Sequence, residues 1–283
     1  MGVTDCHVHI NPLWEMRPDA VRLLSQVEAT VGRYLSDPGE FLGYLDRAGV
    51  ERAVLINYVA PEVIGYTEAA NTFVAEYVRA NPERLIAVGG IRPDHPDPER
   101  EVVHLIEDLG IRALKLHPPH QLFRPNAYVD GELPGLRSLY EACSRHRLPV
   151  IFHTGTSIFP RARNRFADPI FLDDVAVDFP DLTIVLAHGG RPIWMETAVV
   201  LARRFPNVWL EVSGSPPARL LEFFPQLPRI SEKVLFGSDW PGPGVRDIGA
   251  NLSAFRNLGI PSDGLARILE ENPLRVFPRR TPS

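Results

Sequence analysis

Short runs of apolar and β-branched residues recur along this chain at intervals of roughly 30 residues, and most are followed by a stretch of helical character. Eight runs predict strands: residues 2–10, 52–58, 85–91, 111–117, 149–154, 183–188, 208–212 and 233–239. Helices are predicted between and after them: residues 40–48, 68–80, 98–109, 135–146, 194–205 and 262–271. Strands that alternate with helices indicate parallel β–α–β units.

Eight such units predict an α/β protein with a closed (β/α)8 barrel, the TIM barrel, in a single domain over residues 1–283. An open doubly wound sheet is the alternative, but no glycine-rich dinucleotide-binding turn follows the first strand. The main irregularity is the segment 11–38, between the first strand and the next helix. It predicts a helical insertion that forms a lid or pocket wall over the C-terminal face of the barrel. Its apolar residues are Val21, Leu24, Val31 and Leu35.

Composition and charge narrow the partners of the protein. Hydrophobic residues make up 45% of the chain, which is enough for a large core, and Cys6 and Cys143 are too few for a disulfide framework. A net charge of −5 without a basic run is unlike a nucleic-acid-binding surface. With neither a signal peptide nor a long apolar stretch, we expect a cytoplasmic protein without a membrane partner. A small-molecule substrate is expected, and a homo-oligomer is compatible with the sequence.

Two histidines lie two positions apart on the first predicted strand. Because side chains alternate between the faces of a strand, His7 and His9 should share a face and could bind one metal ion. The same alternation points Cys6 and Val8 toward the surrounding helices.

Other titratable residues end predicted strands in the same way. His153 follows Ile151 by two positions, and His188 follows Leu186 by two. The remaining residues of this kind are Lys115, His117 and Asp239. Taken singly, each residue could have a purely structural role, such as capping a turn for Asp239 or extending its amine to solvent for Lys115. Their joint position at strand ends, which meet at the mouth of a barrel, favours a metal site.

The order of these residues resembles that of the amidohydrolase superfamily, more narrowly its amidohydrolase-related branch of hydrolases and aromatic-acid decarboxylases. The resemblance extends over essentially the whole chain. Its motifs are DCHVH at 5–9, KLHP at 115–118, HTG at 153–155, AHGG at 187–190, GSDWP at 237–241 and ENPLRVF at 271–277.

The resemblance implies roles for the strand-end residues. His7, His9, His153 and Asp239 would bind a divalent ion, for which Zn²⁺ is the first choice. The ion would lower the pKa of a bound water toward about 7, and Asp239 would act as the base. His188 would polarise the substrate or move a proton.

Lys115 has two alternative roles. In binuclear relatives a lysine at the end of the fourth strand is carboxylated and bridges two metals. In the simpler arrangement Lys115 and His117 bind a carboxylate or carbonyl of the substrate. One ion is favoured, because nothing in the sequence demands a second.

Three functions follow from this set of residues. The first is hydrolysis of a small ester, lactone or amide by a metal-activated water. The second is non-oxidative decarboxylation of an aromatic or unsaturated acid, and the third is a non-catalytic metal-binding barrel. Hydrolysis is favoured, because the decarboxylases of the branch are commonly longer.

Arginines near the predicted mouth bear on the charge of the substrate. Arg161, Arg163 and Arg165 follow the fifth strand and either bind an anionic substrate or lie in solvent. Arg191 and Trp194 follow the sixth strand and either line the pocket or pack on the barrel.

Overall fold

Eight parallel strands pair in chain order in a computed structural model that describes residues 2–242 and 244–279, apart from the side chains of residues 24–30. The prediction of eight strands is confirmed. The strands are β1 (Thr4–Val8), β2 (Arg52–Ile56), β3 (Leu85–Gly89), β4 (Ala113–Leu116), β5 (Val150–Gly155), β6 (Ile184–Arg191), β7 (Val208–Glu211) and β8 (Val234–Leu235).

The sheet closes through backbone hydrogen bonds between β1 and the chain that follows β8. Cys6 N donates to Phe236 O at 2.9 Å, and Asp239 N donates to His7 O at 2.8 Å. These bonds join the first and last strands, which confirms the (β/α)8 barrel. They also bring the chain after β8 beside the histidines of β1.

Helices surround the strands, in addition to several short 3₁₀ turns. They are α1 (Pro18–Val21), α2 (Ser25–Ser36), α3 (Pro38–Ala48), α4 (Ala69–Val78), α5 (Pro98–Glu107), α6 (Pro118–Gln121), α7 (Gly135–Arg145), α8 (Phe171–Asp178), α9 (Met195–Arg204), α10 (Leu220–Phe223), α11 (Ile248–Arg256), α12 (Ser262–Ala266) and α13 (Asn272–Val276). The sequence did not predict α8 or α11. The predicted helix at 262–271 is divided, because a π-helical turn at Arg267–Glu271 follows α12.

Apolar side chains fill two layers, one between the strands and the helices and one inside the barrel. Val8 packs in the outer layer, as the sequence predicted. Cys6 instead packs with the inner residues Val54 and Leu235, so its predicted direction was wrong. The reason is a shift in the β1–β2 register between Asp5 and Val8, which interrupts the alternation of side chains.

The segment 11–38 is helical, as predicted, and α2 lies within it. Tyr34 is buried, and its ring lies 5.7 Å from that of Trp240, in the chain that follows β8. The side chain of Asp37 accepts hydrogen bonds from Gly39 N at 2.8 Å and Glu40 N at 3.2 Å and so caps α3. The side chain of Leu24 lies outside the described residues.

In the described part of the chain, none of the helices combines the length and the apolar character that crossing a membrane requires.

Candidate functional site

A cavity of about 240 Å³ lies at the C-terminal mouth of the barrel. The insertion contributes Asn11, Leu13 and Val31 to its lining, as expected of a pocket wall. All the strand-end residues singled out from the sequence also line it: His7, His9, Lys115, His117, His153, His188 and Asp239.

His7, His9 and Asp239 bring their ligand atoms within 4.8 Å of one another. Asp239 Oδ1 lies 3.2 Å from His9 Nε2 and 3.7 Å from His7 Nε2. The Nε2 atom of His7 is buried and has no hydrogen-bond partner among the described residues. Two imidazoles and a carboxylate are suitable ligands for a divalent metal, and an unpartnered buried imidazole nitrogen fits a metal ligand. The residues present therefore fit the metal that the sequence implies.

The imidazole of His7 is oriented by Glu211, at the end of β7. His7 Nδ1 lies 2.9 Å from Glu211 Oε2, and both side chains are buried. A carboxylate on Nδ1 favours the tautomer in which Nε2 is free to bind a metal. The Cβ of any other residue at position 237 would lie 2.6 Å from His7 Cβ. Glycine at this position therefore leaves room for the side chain of His7.

The sequence analysis missed Glu211. The available signal was a single carboxylate within the apolar run 208–212, placed at a strand end like the other site residues. Burial raises the pKa of Glu211, and a hydrogen bond from Ser213 N at 2.6 Å opposes that rise. The side chain of Glu211 is thus buried and held by a backbone hydrogen bond.

His188 lies next to His7 and shares its carboxylate network. The rings of His188 and His7 are 4.7 Å apart, and His188 Nδ1 lies 2.9 Å from Ser213 Oγ. Ser213 Oγ also donates to Glu211 Oε2 at 2.9 Å. Burial lowers the pKa of His188, with the neighbouring Arg191 adding to the effect, so the ring is neutral at pH 7.

His188 lines the pocket, but not through the strand alternation on which its prediction rested. Leu186 packs in the outer layer, so a residue two positions later should also face outward. His188 has a φ of 67°, in the left-handed region, and this backbone turn directs the ring into the pocket.

His153 lines the cavity but belongs to neither group of candidate ligands. Its Nε2 lies 3.1 Å from Gly155 O, and its ring stacks on His117 at 3.9 Å. The two groups are His7, His9 and Asp239, and His7, His188 and Glu211. A metal-binding role for His153 thus stays a prediction.

Asp239 is placed to accept a proton. Burial raises its pKa, but the hydrogen bond from His9 and the charges of His7, His9 and Arg191 lower it by more, so the carboxylate is ionised. Arg191 Nη2 lies 3.6 Å from Asp239 Oδ2 and lines the cavity. A base and a fixed cation therefore lie side by side.

The arginines predicted to border the mouth do not line the cavity. Arg161 forms an ion pair with Asp19 at 3.0 Å, on the surface. Trp194 precedes α9 and is also absent from the cavity wall. Among these candidates, Arg191 is the cation of the pocket.

Lys115 and His117 present unpartnered donors or acceptors to the cavity. Lys115 Nζ and His117 Nδ1 are buried and have no hydrogen-bond partner among the described residues. Burial lowers the pKa of Lys115, and the charges of Glu211 and Asp239 oppose this lowering. Such groups gain most from a ligand oxygen, because a buried polar atom without a partner is costly.

Further residues of the cavity wall escaped the sequence analysis, among them Tyr58, His120 and Ser157. His120 lies on α6, two residues after the KLHP motif. A helix of four residues has too little periodicity to be predicted, so the position of His120 could not be inferred.

Comparison with known proteins identifies the family and the fold. The amidohydrolase family profile matches residues 4–279. Among curated protein sequences, none matches this chain.

Three solved structures share the fold. A TIM-barrel protein from Bordetella bronchiseptica has a TM-score of 0.75 and 23% identity, with 98% of each chain covered. A candidate 2-pyrone-4,6-dicarboxylic acid hydrolase from Pseudomonas putida has a TM-score of 0.63 and 20% identity, covering 98% of this chain and 97% of that one. A 5-carboxyvanillate decarboxylase from Novosphingobium aromaticivorans, with bound manganese, has a TM-score of 0.66 and 15% identity, covering 97% and 96%.

Proposed function

The chain belongs to the amidohydrolase family, and on that premise we propose that it is a metal-dependent hydrolase of a small ester, lactone or amide. The observation that carries the proposal is the group of His7, His9 and Asp239, in which a buried imidazole nitrogen lacks a partner. Zn²⁺ is the ion we propose, because it prefers nitrogen and carboxylate ligands. We propose one ion, with His153 as a further ligand.

The residues divide the work of hydrolysis. When bound, the ion would supply a Lewis acid that lowers the pKa of a water molecule. His7 and His9 hold the ion, and the ionised Asp239 accepts the proton of the attacking water. His188 is neutral, and its Nδ1–H donates to Ser213 Oγ, so its Nε2 can accept a hydrogen bond or a proton from the reacting molecule.

Lys115 and His117, where β4 ends, would bind the substrate beside the proposed metal ligands. Their unpartnered nitrogen atoms are suited to a carbonyl or carboxylate oxygen. The apolar side chains of Ile64 and Phe159 line the remainder and limit the access of water. A compact organic molecule with an oxygen-bearing head group fits this arrangement.

Decarboxylation of an aromatic or unsaturated acid is the second candidate. Arg191, beside Asp239, would bind a substrate carboxylate, and a structural neighbour is a decarboxylase. Hydrolysis ranks first because Asp239 Oδ1 lies 3.2 Å from His9 Nε2, within the group of proposed ligands, where it can accept the proton of the attacking water. A decarboxylase needs an acid to protonate carbon.

Metal analysis followed by a substrate panel tests the proposal. We expect one divalent ion per chain in protein purified without chelating resin, and acid release from at least one lactone, ester or amide. Loss of that activity on chelation, and its return with Zn²⁺, is the expected control. Carbon dioxide from a hydroxybenzoate would favour the second candidate. Two ions would indicate a carboxylated Lys115, and activity that survives removal of all metal would refute both candidates.

A further inference from the structure

Three side chains outside the strand-end set form a hydrogen-bonded chain along the cavity wall. Tyr58 Oη lies 3.0 Å from His120 Nδ1, and His120 Nε2 lies 2.7 Å from Ser157 Oγ. Tyr58 and His120 are buried, and Ser157 is half-buried. The chain thus runs from the interior toward the open part of the pocket.

A count of the hydrogens shared by Tyr58, His120 and Ser157 leaves one hydroxyl hydrogen without an acceptor. A neutral imidazole donates one hydrogen bond and accepts one, so one hydroxyl gives its hydrogen to His120 and the other keeps it. A protonated imidazole would leave two hydroxyl hydrogens. Among the described residues, neither Tyr58 nor Ser157 has a further acceptor. In every protonation state at least one O–H is therefore left for a ligand.

The surroundings of Ser157 assign this donor to its hydroxyl. Phe159 N donates to Ser157 Oγ at 3.2 Å, and His120 Nε2–H can occupy the second lone pair. Tyr58 then donates to His120 Nδ1, which leaves no buried phenol hydrogen unpaired. Burial raises the pKa of Tyr58, so the phenol stays protonated. Ser157 O–H is the remaining donor, and its residue lines the cavity.

Neighbouring contacts hold the chain in place before a ligand arrives. The ring of His120 stacks on His117 at 3.5 Å. Asn164 Oδ1 accepts a hydrogen bond from Ser157 N at 2.8 Å. The geometry is therefore set by groups that would not move on binding, and little side-chain freedom would be lost.

We propose that Tyr58, His120 and Ser157 form a second subsite, in which Ser157 donates a hydrogen bond to an uncharged oxygen acceptor of the ligand, such as a carbonyl. The charged groups of the pocket, among them Lys115 and Arg191, belong to the strand-end side, whereas all three members of the chain are neutral donors or acceptors. The inference deepens the proposed function and rests on it for the use of this pocket by the substrate. It assigns the substrate a head group at the proposed metal site and a carbonyl oxygen at Ser157.

Binding of two matched probes to the metal-loaded protein tests the subsite. 4-Formylbenzoate and 4-vinylbenzoate have the same shape, but only the former carries an acceptor oxygen opposite its carboxylate. We expect 4-formylbenzoate to bind about threefold to tenfold more tightly by titration calorimetry, the usual contribution of one hydrogen bond. In Ser157→Ala combined with His120→Phe, which also removes the imidazole N–H that would lose its acceptor, the two affinities should become equal.

Thr156→Val is the matched control, because it removes a neighbouring hydroxyl of the same cavity outside the chain. The preference should persist in this variant. Equal affinities in the unaltered protein, no binding of either probe, or a preference that survives in the double variant would overturn the subsite. Because no turnover is needed, a preference that holds while the substrate panel yields nothing would reject the hydrolase and retain the subsite.

Discussion

At the scale of single residues, one carboxylate organises two imidazoles. Glu211 Oε2 lies 2.9 Å from His7 Nδ1 and 2.9 Å from Ser213 Oγ, which in turn contacts His188. Glu211 therefore acts through other side chains, and its expected contribution is the orientation of His7 rather than contact with a substrate.

We expect Glu211→Gln to weaken metal binding by about 10- to 100-fold, because an amide accepts a hydrogen bond from His7 more weakly than a carboxylate. Titration with Zn²⁺ against a chelating indicator measures this change. Glu222→Gln, which alters an exposed glutamate paired with Arg219, should leave the affinity unchanged. Equal affinities in the two variants would remove Glu211 from this role.

Asp239→Asn should lower kcat by about 10²- to 10⁴-fold, because the amide cannot accept the proton of the attacking water. Steady-state kinetics on a substrate from the panel provides the measurement. Circular dichroism should show that the variant is folded, and assays at saturating Zn²⁺ separate the lost base from weaker metal binding. Turnover close to that of the unaltered protein would exclude Asp239 as the base.

Residue-level prediction from sequence succeeded where strand geometry is regular and failed where the backbone departs from it. Lys115 and Ala113 share the inner face of β4, as alternation requires. Cys6 turned inward at a register shift, and His188 enters the pocket through a left-handed φ. Neither feature has a local sequence signal, because both depend on strands distant in the chain.

At the scale of elements, the insertion is both a pocket wall and a packing partner of the site. Its helix α2 carries Val31 into the cavity and Tyr34 onto Trp240, the residue after Asp239. The sequence predicted this helical segment from its apolar residues. It could not predict the contact with Trp240, because that residue is far from the insertion in the sequence.

Asp37→Ala should lower the free energy of unfolding by about 1 kcal/mol, because two backbone N–H groups at the start of α3 would lose their acceptor. Urea denaturation measures the change. Asp37→Asn retains a capping oxygen and should lie close to the unaltered protein. A loss of the same size in both variants would indicate that charge, rather than capping, stabilises α3.

Sequence prediction of helices depended on their amphipathic pattern. α5 and α7, with strongly segregated faces, were found close to their observed bounds. α8 has only eight residues, and α11 contains Gly249, so neither stood out. The strands were found more reliably, since buried parallel strands are continuous apolar runs.

At the scale of the whole molecule, the proposed metal site lies where the first and last strands meet. His7 and His9 belong to β1 and its continuation, and Asp239 follows β8. An ion held by all three would connect the two edges of the sheet. Binding to the folded state alone would therefore stabilise the entire barrel.

Removal of metal should lower Tm by an amount on the order of 5 °C when the free ion concentration had been about 100 times Kd. Differential scanning calorimetry before and after chelation measures the shift. Asp239→Ala lacks a ligand from the β8 side, so chelation should change its Tm far less. If the shift were the same in this variant, the ion would be bound elsewhere.

The hydrogen bonds between β1 and the chain that follows β8 also bear on when the barrel can close during synthesis. The carboxylate of Asp5 accepts a hydrogen bond from Ser238 N, 233 residues later in the sequence. A nascent chain that still lacks this final strand can form neither that bond nor the cluster of His7, His9 and Asp239. On the proposed assignment of ligands, we therefore expect a nascent chain to acquire the metal only after the residues up to Asp239 have been synthesised.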